Sequence, residues 1–437
     1  MQQNCLSDRE AIKSNWTANQ PARVHQVSLW CGAQALVRKK AMNAWKAAFV
    51  GSLGITAALG TVAVGPIRAQ ESIKIGFSAP ITGSFAENGR QMSAALRLYM
   101  EQYGDNVAGK KIEVILRDDG GVADRARRIA QELVVVNKVA ILAGYNPTPT
   151  ALAVAPISIE ARIPQMVTGS SASITTQRSP YIVRTFSTQA QITVPMAEWA
   201  IKNGFKRVVT LVADYAPGIE TEIAFIDAFK AGGGAIIESL RVPLQSQDFA
   251  PSLQRAQDAK PDALFVWVPG GLAGPFLRQY VERGLQRSGI KLIGPGDITD
   301  DDVLNQMGDA MLGITTSLQY SAAHPSAMNK VFVEGFKRVS NGLRPDHVGV
   351  AVYDSMHVIY EALKKTGGNI DGDALIAAMK GMSWESPRGP VSIDPNTREM
   401  IQNVYIRRVE RVNGELYNVE FDKYEAVKDP VKASQTK

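Results

Sequence analysis

Hydroxyl groups are concentrated in two short segments of the chain, and in this setting their natural chemistry is the binding of a carboxylate. Thr148 stands directly before Pro149 and a helical pattern, which predicts an N-cap at Thr148 and a helix start at Pro149. Ser170 and Ser171 follow Gly169 at the end of an apolar run. Free N–H groups at a helix start, with such hydroxyls, can hold an anion without a cation. The alternative is that these residues are ordinary caps and turns.

The loops that carry these residues follow apolar runs typical of strands, and open α/β sheets bind ligands at the carboxyl ends of their strands. Such loops occupy residues 80–89, 145–150, 169–173, 214–218, 269–272 and 295–299. Phe85, Tyr145 and Tyr215 have the size to wall a cleft there, although each is equally suited to a core. The first three of these loops are rich in hydroxyls and aromatic residues and short of charge.

Three segments resemble phosphate-binding, hydrolase or calcium-binding motifs, but each lacks a residue that the motif requires. Gly104–Lys110 has the spacing of a phosphate-binding loop, but Lys111 occupies the position that needs Ser or Thr for magnesium. Gly169–Ser173 has the spacing of a hydrolase nucleophile elbow, but its last residue is not glycine. The acidic run at 297–302 lacks the spacing and the glycine of a calcium loop, and helix N-capping is its simpler role. We therefore expect no enzyme activity, no metal and no cofactor.

An apolar segment near the N-terminus indicates export. Basic residues precede a Gly- and Ala-rich apolar stretch at 47–64, and a small residue precedes Gln70. This layout predicts a signal peptide at 42–69 and a periplasmic protein. An uncleaved anchor is the alternative, because the stretch approaches the ~20 residues of a membrane span. Residues 1–41 fit no part of a signal peptide, so we interpret them as a disordered gene-model extension and Met42 as the true start.

The residues before Gln70, here called the leader, account for the basic character of the chain. The whole chain has a net charge of +6, and residues 1–69 contain eight basic and two acidic side chains, so the remainder is neutral. A nucleic-acid partner is therefore not expected. Cys5 and Cys31 also precede Gln70, which excludes disulfides, thiol catalysis and Cys-based zinc sites from the mature chain.

The residues after the leader are numerous enough for two domains. Short strand patterns alternate with amphipathic helix patterns, beginning with a strand at 73–79 and a helix at 90–103. This βαβ rhythm predicts an α/β fold with parallel, doubly wound sheets. The rhythm restarts after residue 186, which predicts two similar units in series. A third, helix-rich stretch from about residue 325 has few strand patterns, with strands near 390–393 and 401–409, and is expected to cross back and complete both units.

At these loops the chain resembles the Leu/Ile/Val-binding protein family, the type I periplasmic solute-binding proteins of branched-chain amino acid ABC transporters. The resemblance extends over about residues 73–424. It depends on segments that occur in a fixed order: IKIGFSAPITGSFAENGRQM, RDDGGVADRARRIAQELV, ILAGYNPTPTALAVAPI, IPQMVTGSSAS, VADYAPGIE, DFAPSLQRAQDAKPDALFV and AVYDSMHVIYEAL. Each segment alone is a weak indication of the family, but together and in this order the segments are specific to it.

The resemblance implies two lobes joined by three crossovers, with a small ligand held between them and a hinge that closes the lobes. Lobe one would comprise residues 71–186 and 320–400, and lobe two residues 187–319 and 401–428. Residues 429–437 would form a tail. We expect a monomer that delivers its ligand to an ABC permease in the membrane.

For the site, the resemblance implies that Thr148 holds the ligand carboxylate. The loop Gly169–Ser171 would contribute a carbonyl and hydroxyls. Lobe two would contribute aromatic contacts near Tyr215 and a loop around Gly271.

Two departures from the family pattern bear on the ligand. Amino acid binders place an acidic residue directly after a Gly-Pro pair to hold the ammonium, whereas here Gly296 follows and Asp297 comes one position later. The aromatic residue expected before Gly89 is replaced by Asn88. If Asp297 reaches the ammonium, an aliphatic amino acid fits. If it does not, an amine-free carboxylate fits better, because an unpaired buried ammonium costs several kcal/mol.

The sequence therefore predicts the substrate-binding component of an ABC importer, for a branched-chain amino acid or a related small carboxylate. One alternative is a binding protein for amine-free aromatic acids or short amides. Another is a ligand-sensing ectodomain of the same fold, which would need a membrane span that leads to a signalling module.

Overall fold

The computed structural model describes residues 72–301 and 304–435 of the chain. The predicted extension at 1–41 and signal peptide at 42–69 lie outside these residues. Among the described helices, none is both long and apolar enough to cross a bilayer.

The first lobe is built on a six-stranded sheet with the order β2-β3-β1-β4-β5-β6. Its strands are parallel except for β2, which forms a short hairpin with β3. The elements in chain order are β1 (Ser72–Ala79), α1 (Ala86–Tyr103), β2 (Asn106–Val107), β3 (Lys110–Asp118), α2 (Ala123–Val135), β4 (Ile141–Gly144), α3 (Thr148–Ala161), β5 (Gln165–Val167) and β6 (Ile182–Arg184). Helices cover both faces of such a sheet, so β1 and β4 are almost continuously buried.

The second lobe repeats the βαβ pattern, as predicted. Its first strands are parallel, in the order β11-β10-β9-β7-β8. The elements are α4 (Gln189–Lys202), β7 (Arg207–Ala213), α5 (Ala216–Ala231), β8 (Ala235–Val242), α6 (Ala250–Ala259), β9 (Ala263–Trp267), α7 (Gly270–Glu282), β10 (Lys291–Pro295), α8 (Leu304–Met307) and β11 (Thr315–Leu318).

The last third of the chain contributes to both lobes. Its elements are α9 (Ala327–Val339), α10 (His347–Lys365), α11 (Gly372–Met379), β12 (Ser383–Ser386), β13 (Gly389–Ile393), β14 (Met400–Val412), β15 (Glu415–Val427) and α12 (Pro430–Gln435). The three helices α9, α10 and α11 belong to the first lobe, where α10 packs along α1. This stretch contains more strands than the sequence pattern indicated, because β12 and β15 are rich in polar residues.

The sheet to which strand β13 belongs differs from the one that the expected lobe boundary implied. The sequence placed residues 320–400 in lobe one, but β12 and β13 extend the second lobe's sheet through β14. The buried side chains of Val391 and Ile393 nevertheless pack into the first lobe's core. This strand therefore joins the two lobes, with its backbone in one and its side chains in the other.

Candidate functional site

A small cavity lies between the lobes, at the carboxyl ends of strands from both sheets. Its volume is about 50 Å³, and a single water needs about 10–15 Å³ on this measure. The lining residues are Phe85, Asn88, Asn146, Pro147, Thr148, Gly169, Ser171, Phe186, Gln189, Tyr215, Pro217, Trp267, Pro269, Gly270, Asp297, Asp300, His347 and Val348. The enclosed position suits a small ligand held by both lobes.

Thr148 lines this cavity at the start of α3, although not as the predicted N-cap. The N-cap is Pro147, and Thr148 is the first helical residue. The N–H and the hydroxyl of Thr150 both donate to the Pro147 carbonyl, which closes the first turn without Thr148. Among the described residues, the Thr148 hydroxyl has no hydrogen-bond partner, so it is available to a ligand.

Ser171 lines the cavity at the end of a hydrogen-bonded chain. The Thr221 hydroxyl of α5 lies 3.0 Å from Gln189 Oε1 and 2.7 Å from the Pro217 carbonyl, so these two acceptors share its proton. Gln189 Nε2 donates to Ser171 Oγ at 3.0 Å. Because Ser171 Oγ accepts from the amide, its own proton is left to donate elsewhere. The contact with Gln189 therefore leaves Ser171 as a hydrogen-bond donor at the cavity. Gln189 is a residue that the sequence pattern did not single out.

Asn146 adds an amide group beside Gly169. Asn88 Nδ2 donates to Asn146 Oδ1 at 3.1 Å, which leaves the Asn146 nitrogen as a donor. A Cβ at position 169 would lie 2.0 Å from Asn146 Nδ2, so a side chain there would displace this amide. Gly169 and Asn88, two predicted ligand-binding residues, both line this cavity, and they also hold Asn146.

Ser170 was predicted to bind ligand but does not line the cavity. Its hydroxyl shares a hydrogen bond of 2.8 Å with that of Thr175 and is fully buried. Its carbonyl accepts from the Arg184 guanidinium at 2.7 Å. Successive residues of an extended segment point to opposite sides, so Ser171 faces the cavity while Ser170 faces the interior.

Tyr145 and Gly271, two further predicted residues, also lie outside the cavity lining. Tyr145 is fully buried in the core between α2 and α3, and it has a left-handed backbone with φ of 66°. Its neighbour Asn146 lines the cavity instead. Gly271 lies in an adjoining surface groove, while Gly270 lines the cavity.

Aromatic rings from both lobes surround the cavity. Five lining residues carry rings: Phe85, Phe186, Tyr215, Trp267 and His347. The rings of Phe186 and His347 lie 5.3 Å apart, and those of Tyr215 and Trp267 lie 5.6 Å apart. Phe85 and Tyr215 were predicted to form the walls, whereas Trp267 ends an apolar strand and Phe186 lies in a crossover, so neither had a distinguishing sequence signal.

Asp297 brings a carboxylate from the second lobe to the cavity. Its Oδ2 accepts a hydrogen bond of 3.2 Å from the Trp267 indole N–H. It lies in the short 3₁₀ turn after β10, at the predicted position. This contact orients the indole ring and partly satisfies the carboxylate before any ligand arrives.

Asp300 provides a second acidic side chain and contacts His347. Asp300 Oδ1 lies 3.3 Å from His347 Nδ1. Burial, with the nearby charges of Asp297 and Asp301, raises the pKa of the Asp300 carboxyl well above its usual range, while Arg407 acts in the opposite direction. The lobe-two side of the cavity is thus acidic, with one carboxyl biased toward its neutral form.

One group of side chains has the composition of a metal site. Ligating atoms of Asp300, Asp346 and His347 lie within 4.8 Å of one another. The Asp346 carboxylate accepts from the N–H groups of Val348 and Gly349 at 2.8 and 2.7 Å, which is the geometry of a helix N-cap. Capping of α10 therefore accounts for Asp346 without a metal ion.

Known proteins match this fold along most of the chain. The family model described as periplasmic binding protein matches residues 72–415. The Leu/Ile/Val-binding protein homolog 6 of Brucella abortus (strain 2308) is 39% identical over 362 residues, which is 82% of this chain and 93% of the relative.

Two solved structures of ABC transporter solute binding proteins are also similar. The protein from Rhodopseudomonas palustris BisB5, in complex with 3,4-dihydroxy benzoic acid, is 57% identical, with a TM-score of 0.81 over 83% of this chain and 99% of that one. The protein from Rhodopseudomonas palustris HaA2, in complex with p-hydroxybenzoic acid, is 38% identical, with a TM-score of 0.81 over 84% of this chain and 100% of that one. The chain belongs to the periplasmic binding protein family and is a solute-binding protein of the kind that serves ABC transporters.

Proposed function

We propose that this protein is the periplasmic substrate-binding component of an ABC importer for small aromatic carboxylates, with hydroxybenzoates as the first candidates. The observation that carries the proposal is the set of five rings that surround a small cavity from both lobes. Aromatic walls favour a flat aromatic ligand, since offset and edge-to-face ring pairs add about 0.5–1.5 kcal/mol to burial.

The lobe-one side of the cavity supplies donors for the carboxylate. These are the hydroxyls of Thr148 and Ser171 and the amide nitrogen of Asn146. No Lys or Arg side chain lines the cavity among the described residues. Neutral donors and the start of α3 are therefore the groups assigned to the anion.

The names of the relatives support this ligand class and also leave a second candidate. The two solved relatives described above were found with hydroxylated benzoic acids. The Brucella relative carries a Leu/Ile/Val-binding name, and Asp297 lines the cavity where an ammonium could pair with it. Because Asp297 already accepts from Trp267 and the walls are aromatic, we favour the aromatic acid.

The mechanism follows from the two-lobed geometry. The ligand docks on the donors of the first lobe, and its additional contacts with the second lobe favour the closed form. A micromolar affinity corresponds to about −8 kcal/mol, which charge-assisted hydrogen bonds and ring contacts together can supply. The closed form then delivers the ligand to the membrane permease.

Calorimetric titration of protein that begins at Gln70 tests this function. We expect binding of 4-hydroxybenzoate or 3,4-dihydroxybenzoate at micromolar concentration and no binding of leucine. Replacing Ser171→Ala removes one donor to the carboxylate and should weaken aromatic acids about tenfold. Binding of leucine without binding of any benzoate would refute the proposal in favour of the amino acid.

A further inference from the structure

The side chains of Asp300 and His347 connect the two lobes at the cavity. Asp300 follows β10 of the second lobe, and His347 begins α10, which packs along α1 of the first lobe. Asp300 Oδ1 and His347 Nδ1 are 3.3 Å apart. Both residues are buried, with exposed fractions of 8% and 6%. In this structure the contact joins an element of the second lobe to an element of the first.

Each member of the pair keeps one polar atom that forms no hydrogen bond with the described residues. These atoms are Asp300 Oδ2 and His347 Nε2, and both residues line the cavity. Asp300 retains an oxygen and His347 a ring nitrogen, so the pair presents one carboxyl and one imidazole group to the same ligand atom or to neighbouring atoms.

A hydroxyl matches this pair better than a charged group does. With a neutral Asp300 carboxyl, which burial favours, one of the two unused atoms carries a proton and the other accepts, whichever tautomer His347 adopts. A hydroxyl can therefore accept from one partner and donate to the other, whereas an ammonium only donates and would leave the pair's own proton without an acceptor. A carboxylate would meet the acidic residues Asp297 and Asp301 nearby.

We propose that the Asp300–His347 pair recognises a ring hydroxyl of the bound aromatic acid and thereby couples hydroxyl recognition to lobe closure. This inference rests on the proposed function, and it narrows the substrates to hydroxylated benzoates. The carboxylate of the ligand lies on the lobe-one donors, and its hydroxyl completes the contact between the lobes. Benzoate itself leaves both unused polar atoms unpaired in a closed site, which disfavours its binding.

Titrations of benzoate and 4-hydroxybenzoate test the pair. The wild type should prefer 4-hydroxybenzoate by about tenfold or more. Asp300→Asn and His347→Gln should each reduce this preference to about threefold or less while benzoate affinity changes little. Asp300→Asn preserves the size of the side chain, so it still tests the pair if His347→Gln fails to fold.

The chain offers a matched control in a second histidine–carboxylate pair. His324 Nδ1 lies 2.8 Å from Glu420 Oε2, and neither residue lines the ligand cavity. His324→Gln should leave the preference of the wild type unchanged. Thermal unfolding of all ligand-free variants checks that each is folded.

Two outcomes separate this inference from the proposed function. If the wild type binds both benzoates equally, or if the variants weaken both by the same factor, the pair does not recognise the hydroxyl, yet the aromatic-acid function stands. If the wild type binds neither benzoate, the proposed function fails and the inference fails with it.

Discussion

At the scale of single residues, the site depends on groups that hold one another rather than on a cation. Asn146 is fixed by Asn88 on one side and by the absence of a side chain at Gly169 on the other. Ser171 is oriented by Gln189. The donors are thus arranged before the ligand binds, which lowers the entropic cost of binding.

Gly169→Ala tests the arrangement of Asn146. The added Cβ would lie 2.0 Å from Asn146 Nδ2, so the amide must move away from the ligand. We expect aromatic acids to bind about tenfold more weakly, measured by calorimetry. Gly274→Ala is the control, because its Cβ would be 3.8 Å from Arg278 Nη1 and no closer atom is in contact. Equal affinities for the two variants would contradict this role of Gly169.

Gln189→Leu tests the chain that orients Ser171. Loss of the amide frees the hydroxyl of Ser171 to rotate, while Thr221 keeps its hydrogen bond to the Pro217 carbonyl. Benzoate and 4-hydroxybenzoate should both weaken, by a similar factor of about five to twenty. This uniform loss differs from the selective loss expected for Asp300→Asn. A variant with unchanged affinity for benzoate would show that the chain does not orient the donor.

The stability of the ligand-free protein should reflect the burial of Asp300. Because burial raises its pKa above the unfolded value, this carboxyl stabilises the fold at acidic pH, and that contribution is lost as the pH rises through the folded pKa. An asparagine side chain does not titrate, so Asp300→Asn lacks this pH-dependent contribution to stability. The unfolding temperature of Asp300→Asn should therefore rise relative to wild type as the pH increases from about 4 to about 8. A difference that stays constant over this range would contradict the prediction.

At the scale of elements, α12 is part of the fold rather than a free tail. It packs against α4, and its residue Lys432 is buried in contact with Glu399. Glu399 also accepts two hydrogen bonds from Arg184, at 2.6 and 2.7 Å. Burial would raise the pKa of Glu399, but Arg184 and Lys432 outweigh it and lower the value.

Two substitutions distinguish the members of this cluster. Lys432→Met leaves Glu399 paired with Arg184, and we expect a loss of about 1–2 kcal/mol in the free energy of unfolding. Arg184→Met also leaves the carbonyls of Ser170 and Ala172 without their donor, so about 3–5 kcal/mol should be lost. Ligand binding should weaken in Arg184→Met, since the loop before and after Ser171 loses its anchor. Denaturant unfolding and calorimetry measure both effects.

Most elements could be predicted from the sequence because their periodicity is strong. The βαβ rhythm of β1 to β10 and the helix α10 follow from local pattern alone. Strand β15 and helix α12 could not be predicted in this way. Strand β15 contains many charged residues, and α12 is held by the contact of Lys432 with Glu399. Their stability comes from partners distant in sequence.

The candidate site was predictable in part for the same physical reason. Thr148 and Ser171, which line the cavity, could be singled out because each is a hydroxyl in a loop that follows a strand pattern, and Thr148 also precedes a helix start. Trp267 and His347 were not, because an apolar strand end and a helix start look the same whether they face a core or a cavity. Which side of a loop faces the ligand is decided by the pairing of the lobes, as Tyr145 and Asn146 illustrate.

At the scale of the whole molecule, direct contacts hold the lobes together outside the ligand cavity as well. Glu220 of α5 accepts a hydrogen bond of 3.0 Å from the Ser173 N–H of the first lobe. Burial raises the pKa of the Glu220 carboxyl. Neither residue lines the cavity, so the contact favours closure without touching the ligand.

Glu220→Ala should therefore shift the protein toward the open form. We expect a larger radius of gyration in ligand-free solution scattering and affinities about three- to tenfold lower for every ligand. Glu238→Ala is the control, because Glu238 pairs with Arg255 on the second lobe alone. If both variants scatter like the wild type, with and without ligand, Glu220 has no part in closure.

The position of β13 has a consequence for how this protein can be divided. Its backbone completes the sheet of one lobe while Val391 and Ile393 fill the core of the other. A fragment cut at the crossovers would lose either a sheet neighbour or part of a hydrophobic core. We therefore expect neither half to fold alone, and an exchange of lobes between relatives to require that this strand is transferred together with both of its environments.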